Sequence, residues 1–316
     1  MDSRLLEYFL RVTELGSINK AAADLGLSQP ALSRHIAALE HEMGATLLVR
    51  TQGGVTLTDS GKLLSDRSRS LLRQYAILKE QVGERAAGQL SVGIPPSWQR
   101  IFTSRFVEKI TASYPGVSLR VYEGVSNTLR DYMYAGLLDL CIAPFDNNTA
   151  AGYRQTPLLR EPLVLVGGET EQLEPDEPVS ISRLAGTKLV LPGRPNFLRL
   201  QIENTLIRKG QDFRLAVETD TLTLCLDLAR KGMGFTVVPA CALTGLDFGA
   251  AVRWAPIRGM YMTWAVCENQ SRTHSQALRE GRRLVFSLVA ETLEARTWFG
   301  AEPAGGALSR LSAARP

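Results

Sequence analysis

The stretch from Ser17 to Gly44 constrains this chain more than any other, because it spells two helices joined by a turn too short to be an ordinary loop. Ser17 is placed to cap the first helix. Ile18, Ala21, Ala22 and Leu25 then fall on one face, where the alanines allow a second helix to cross closely. Gly26 ends that helix at a position tolerating the left-handed conformation. Ser28 caps the second helix, Pro30 sits in its first turn where no amide partner is needed, and Leu32, Ile36, Leu39 and Met43 face inward. The opposite face opens with Gln29, Ser33 and Arg34, side chains that donate and accept at base edges or hold a phosphate. A helix of this kind fits the major groove of DNA. The same spacing also describes a plain solvent-exposed helical hairpin.

Longer strings decide between the two. Ala21-Ala22-x-x-Leu25 is followed by Ser28-Gln29-Pro30-Ala31-Leu32-Ser33-Arg34-x-Ile36-x-x-Leu39-Glu40, then Gly44-x-x-Leu47-x-x-Arg50 and Leu57-Thr58-x-x-Gly61. Together they resemble the N-terminal domain of the LysR-type transcriptional regulators. The resemblance is dense over the first sixty or so residues, and the remaining length and layout follow it. Ile18 and Leu48 stand where that family often has Phe, and both keep an apolar side chain. The resemblance implies a sequence-specific DNA-binding regulator, active as a homodimer or homotetramer on a double-stranded operator and controlled by a small-molecule effector. RNA polymerase is a candidate partner. Candidate DNA contacts on the helical pair are Ser17, Lys20, Ser28, Gln29, Pro30, Ser33 and Arg34. Two β-prone runs, Leu47 to Arg50 and Val55 to Thr58, flank a glycine pair and read as a wing. In the family the wing lies along the DNA backbone and minor groove, which makes Arg50 and Thr58 further candidates.

With 316 residues, 45% hydrophobic and 22% charged, the chain suits two or three globular domains. No apolar run approaches bilayer length, and the N-terminus is an acid followed by an amphipathic helix, so a cytoplasmic protein is expected. Net charge is +4, and residues 1–88 carry 11 Lys plus Arg against 10 Asp plus Glu, so DNA affinity must come from placement and from linked copies. Cys141, Cys225, Cys241 and Cys267 lie apart among apolar neighbours, with no spacing for a metal or a redox couple. Buried free thiols are expected; a peroxide sensor would need a thiolate in a basic, partly exposed setting.

Leu5, Leu6, Phe9, Val12 and Thr13 form the inward stripe of a first helix over residues 3–15. Residues 1–58 are thus a winged helix-turn-helix domain. Residues 59–87 read as a linker helix whose Leu64, Ser68, Leu71, Tyr75, Leu78 and Val82 make a coiled-coil seam for dimerisation, although such a helix can also lie on its own domain. Gly88 begins an α/β effector domain, 88–300, in which strands and helices alternate. It divides into two Rossmann-like lobes, about 88–162 with 266–300 and about 163–265, an arrangement similar to periplasmic binding proteins. Residues 301–316, rich in Ala, Gly, Pro and Ser, are expected to be disordered.

Ligands of such sheets bind beyond the carboxyl ends of strands, near helix N-termini. The loops at Pro96 to Trp98, Gly124 to Asn127 and Pro192 to Asn196 occupy such ends. The resemblance adds Thr219 to Thr221 and Gly232 to Phe235. Ser97, Trp98, Ser126, Arg194, Asn196, Thr219 and Phe235 are therefore the candidate effector contacts. Arg194 is the candidate partner for a carboxylate, unless it braces its own loop, and Trp98 either stacks on an aromatic effector or fills the core. Nucleophile, phosphate-loop and metalloprotease motifs are absent, and His35, His41 and His274 do not cluster in the cleft segments; His35 and His41 are expected on the solvent or DNA side of the reading helix. No enzymatic activity and no cofactor are expected. A solute-binding protein and an enzyme fused to a DNA-binding domain are the alternatives.

Overall fold

The computed structural model describes residues 3–51, 53–82, 88–146, 152–245, 252–270 and 275–305, with the side chains of residues 50, 73, 74 and 76–82 outside the description. The chain divides into two compact units at Arg85.

The first unit contains α1 (Ser3–Leu15), α2 (Ile18–Asp24), α3 (Gln29–Met43), a hairpin of β1 (Leu48–Thr51) and β2 (Gly54–Leu57), and α4 (Asp59–Val82). Ser17 accepts from the Lys20 amide and Ser28 from the Ala31 amide, so both serines spend an oxygen on capping. Gly44 closes α3 at φ 64°, in the left-handed region. Leu6, Phe9 and Val12 of α1 meet Ala21, Ala22, Leu32, Ile36, Leu39 and Leu47 in one core. Leu10 is buried as well, whereas Thr13 is half-buried with its hydroxyl on the Leu10 carbonyl.

The hairpin is pinned from two sides. Val55 N donates to Gly16 O, and a Cβ on Gly54 would stand 2.2 Å from that carbonyl. The Glu40 carboxylate accepts from the amides of Leu47 and Leu48 at 2.7 and 3.2 Å. The expected α4 seam splits. Leu64 and Leu72 pack on the core of the first unit and Ser68 is buried, while Leu71 and Tyr75 stay 46% and 44% exposed. The side chains of Leu78 and Val82 lie outside the described residues.

The second unit runs through β3 (Gln89–Ile94), α5 (Ser104–Ser113), β4 (Ser118–Glu123), α6 (Ser126–Tyr134), β5 (Leu140–Pro144) and β6 (Tyr153–Gly168). It continues with β7 (Lys188–Leu191), α7 (Phe197–Arg208), β8 (Arg214–Glu218), α8 (Leu222–Arg230), β9 (Thr236–Pro239), β10 (Val252–Asn269), α9 (Gln276–Glu294) and β11 (Glu302–Pro303). Parallel strands β4, β3 and β5 build one lobe, covered by α5 and α9. In the other lobe β7 and β8 pair in parallel, and an isolated bridge from Leu189 to Phe235 links them towards β9, which pairs with β6.

The two lobes share β6 and β10, which run antiparallel to each other through both. The lobe boundaries expected at residues 162 and 265 thus fall inside continuous strands, of which the sequence suggested only 163–167 and 263–266. Pro157, Pro162 and Pro256 lie in the rest. Each sits beside a break in the β6–β10 register, between Pro256 and Tyr261 or between Trp264 and Ala265, where proline is tolerated in a sheet. The expectation of disorder from residue 301 onward needs correcting at its start, since Glu302 and Pro303 pair with Arg160 and Leu159 of β6. Residues 306–316 lie outside the described residues.

Candidate functional site

On α3, Arg34 is exposed and Gln29 and Ser33 are half-buried, all on the side away from the core. Gln29 Nε2 donates to Ser33 Oγ at 2.9 Å, one helical turn on, so these two polar groups order each other before any partner arrives. Lys20 is exposed on α2, and Ser28 and Pro30 open α3. Thr58 is committed internally instead. Its hydroxyl donates to the Thr46 carbonyl at 2.7 Å and accepts from the Gly61 amide at 3.0 Å, which starts α4 and leaves little for a phosphate. The Arg50 side chain lies outside the described residues. His35 is half-buried, its ring 5.1 Å from Tyr8 of α1. His41 is exposed, and His274 lies outside the described residues.

In the second unit a cavity of about 100 Å³ opens between the lobes. Ser97 and Ser126 reach it from one lobe and Asn196, Thr219 and Thr236 from the other, with Ile142, Val238, Met262 and Trp264 among its apolar walls. Ser97, Ser126, Asn196 and Thr219 follow the carboxyl ends of β3, β4, β7 and β8, while Thr236 opens β9. The Asn196 side chain is itself spent on capping α7, accepting from the amides of Leu198 and Arg199.

Three candidates stand elsewhere. Trp98 is fully buried, its ring edge-on to Phe102, Trp264 and Trp298 at 4.8 to 5.6 Å, because an indole gains more from packing than from a wet loop. Arg194 is not among the residues lining the cavity and binds Glu203 at 2.8 Å, with 66% of its side chain exposed. Glu203 also holds the buried Arg199, and these two cations outweigh the desolvation that would raise its pKa, keeping it low. Arg194 therefore braces its own loop. Phe235 lines a separate recess with Gly167, Gly168 and Lys188.

One buried group escaped sequence reasoning altogether. Glu161 of β6 is fully buried and accepts from the indoles of Trp264 and Trp298 and from the Cys241 amide at 2.7 Å. It ties together β6, β10, the end of the α9 segment and the turn after β9. A lone Glu beside a proline carries no local signal of such a role.

Residues 3–62 match the family described as bacterial regulatory helix-turn-helix protein, lysR family, and residues 83–287 match the LysR substrate binding domain. The chain belongs to the LysR family of transcriptional regulators. This LysR-type regulator is 32% identical to the nitrogen assimilation regulatory protein Nac of Klebsiella aerogenes over 300 residues, covering 92% of the chain and 96% of that protein. It is 30% identical to the regulator OxyR of Escherichia coli, over 77% of the chain and 80% of that protein. The crystal structure of CbnR, a LysR family transcriptional regulator, superposes with a TM-score of 0.70 at 20% identity, covering 92% of this chain and 99% of that one. A full-length OxyR variant from Pseudomonas aeruginosa gives 0.66 at 20% identity, covering 92% and 94%. The helix-turn-helix of the LysR-type regulator is accordingly a DNA-binding domain, and its second unit is an effector-binding domain. Among the described residues no helix is long and apolar enough to cross a membrane.

All four cysteines of the regulator are buried and unpaired as disulfides. Burial pushes the Cys225 thiol up to about 11, and Cys141 and Cys241 are raised as well, the first by its contact with Cys267 and the second by burial. The smaller thiolate fraction alone makes alkylation of Cys225 at neutral pH roughly 300-fold slower than that of a free thiol. A mass-spectrometric time course with iodoacetamide checks this; a rate within tenfold of glutathione, about one decade, would show the thiol to be activated.

Proposed function

We propose that the regulator reads its operator with the N-terminal half of α3, through Gln29, Ser33 and Arg34, while Lys20, Arg50 and the amides behind Ser17 and Ser28 hold the phosphate backbone. A small effector binds between the lobes, against Ser97, Ser126 and Thr219, and selects one lobe arrangement over the other. The cavity lined from both lobes is the observation that carries this reading, since a ligand touching both can distinguish their arrangements. The protein acts by binding, without catalysis, in the cytoplasm where the operator is. The peroxide response that OxyR's relatives are named for is not favoured here, because every thiol is buried and those with resolved shifts are disfavoured as thiolates.

Filling the cavity tests the proposal. Ser126→Trp is expected to abolish the effector-dependent change in the operator footprint, with folding checked by the melting curve. An unchanged response in the folded variant would place the effector elsewhere.

Dimerisation through the exposed face of α4, and pairing of dimers into a homotetramer, belong to the same proposal. Leu71 and Tyr75 are large side chains 46% and 44% exposed on a helix whose Leu64 and Leu72 pack on the core. Leu71→Glu with Tyr75→Glu buries two charges without partners and is expected to raise the dimer dissociation constant roughly 100-fold. Sedimentation of the double variant as an unchanged dimer would exclude this face.

A further inference from the structure

Asp220 is the one charged residue among the described lining of the inner cavity, and it is an acid. A bare carboxylate placed there would meet this negative charge with no lysine or arginine in the wall to offset it. The Asn196 side chain occupies the first amides of α7, and Asp220 lies just before α8. Arg194 is not in this lining, so the expected pairing of a carboxylate with Arg194 has no place in this cavity.

A second cavity, of about 280 Å³, adjoins the first and shares Pro96, Ser97, Asp220 and Leu222 with it. Its wall adds charges of both signs, Arg100 and Glu123, together with Gln99. Arg100 gives one N–H to the Gly245 carbonyl at 3.0 Å, and a guanidinium has four more to offer. Deep in the first cavity the Thr236 hydroxyl is fully buried with no conventional hydrogen-bond partner, beside the Cys225 thiol. The two spaces thus form an apolar inner chamber and a zwitterionic vestibule joined at Asp220.

Resting on the reading of the interlobe cleft as the effector site, we infer that the ligand is an α-amino acid with a mainly apolar side chain. The side chain occupies the inner chamber among Ile142, Val238, Met262 and Trp264. The ammonium sits at the junction with Asp220 and Glu123, and the carboxylate faces Arg100 in the vestibule.

The test is the melting temperature of the full chain with each standard amino acid, and with the deaminated acid and decarboxylated amine of each. At least one mainly apolar amino acid is expected to raise it, with both half-analogues roughly tenfold weaker or worse, and Asp220→Asn is expected to remove the shift. Failure of every amino acid, or an acid analogue binding as well as its amino acid, would overturn the ligand class. Ser126→Trp separates that failure from failure of the cleft itself. An acid whose shift is lost in Ser126→Trp leaves the cleft standing and only the class wrong, whereas a shift that survives the tryptophan puts the site outside the cleft.

Discussion

Glu161→Ala is expected to destabilise the two-lobed unit by about 3 kcal/mol or more, among the largest losses a single side chain can cause here. Its carboxylate is the acceptor for two indole N–H groups and a backbone amide, all away from water, and alanine leaves all three without a partner. Glu161→Gln keeps one acceptor oxygen but turns an amide NH₂ towards the remaining donors, so it should fall between wild type and alanine. Urea denaturation followed by tryptophan fluorescence measures both. An alanine variant within about 1 kcal/mol of wild type would mean that solvent reaches these donors after all.

Proton linkage gives a second handle on the same residue. Burial pushes the Glu161 carboxyl above its ordinary value of 4.5, against the opposing hydrogen bonds from Trp298, Cys241 and Trp264. Between the unfolded and folded values the native state binds more protons than the unfolded chain. The contribution of this group to stability therefore falls as pH rises from 4.5 through the folded value, and Glu161→Gln should remove that slope.

The second large effect concerns operator choice. Gln29→Ala and Ser33→Ala are each expected to relax discrimination at the base pair they face by about 1–3 kcal/mol. Because Gln29 Nε2 rests on Ser33 Oγ, the two losses should not add: removing either partner already releases the other. Lys20→Ala, by contrast, should weaken binding to every sequence alike and reduce the salt slope by about one. Binding curves on a set of operator variants at several salt concentrations separate these patterns. Strict additivity of the two α3 substitutions would show that the pair acts as independent contacts, and full discrimination by Gln29→Ala would undock the helix from the groove.

The helical pair was legible in the sequence because everything that makes it is local. Caps at Ser17 and Ser28, a left-handed glycine at Gly44 and apolar residues three and four apart act within one or two turns. The alternation of strands and helices in the second unit was legible for the same reason. What the sequence left open, Trp98 and Arg194 above all, was set by distant partners. No local rule says that Trp98 turns inward to Trp264 and Trp298, that Arg194 finds Glu203, or that Thr58 is used by Thr46 and Gly61. A proline reads locally as a strand breaker, yet those of β6 and β10 each lie beside a register break, where the missing donor costs little. In the cleft, sequence found the hydroxyls at Ser97, Ser126 and Thr219, which stand at strand ends, but not the sign of the charge beside them.

The shared strands have a mechanical consequence. Proteins whose lobes hang on single flexible segments can swing apart through wide angles, but here both lobes are threaded on one two-ply ribbon, β6 against β10, bonded along most of its length. Such a ribbon resists bending in its own plane and yields most readily to winding or unwinding about its long axis, above all at the register break by Pro162 and Tyr261, where the ladder is interrupted. The lobe movement expected of such a ribbon is a twist of small angle and not the wide swing of a jaw.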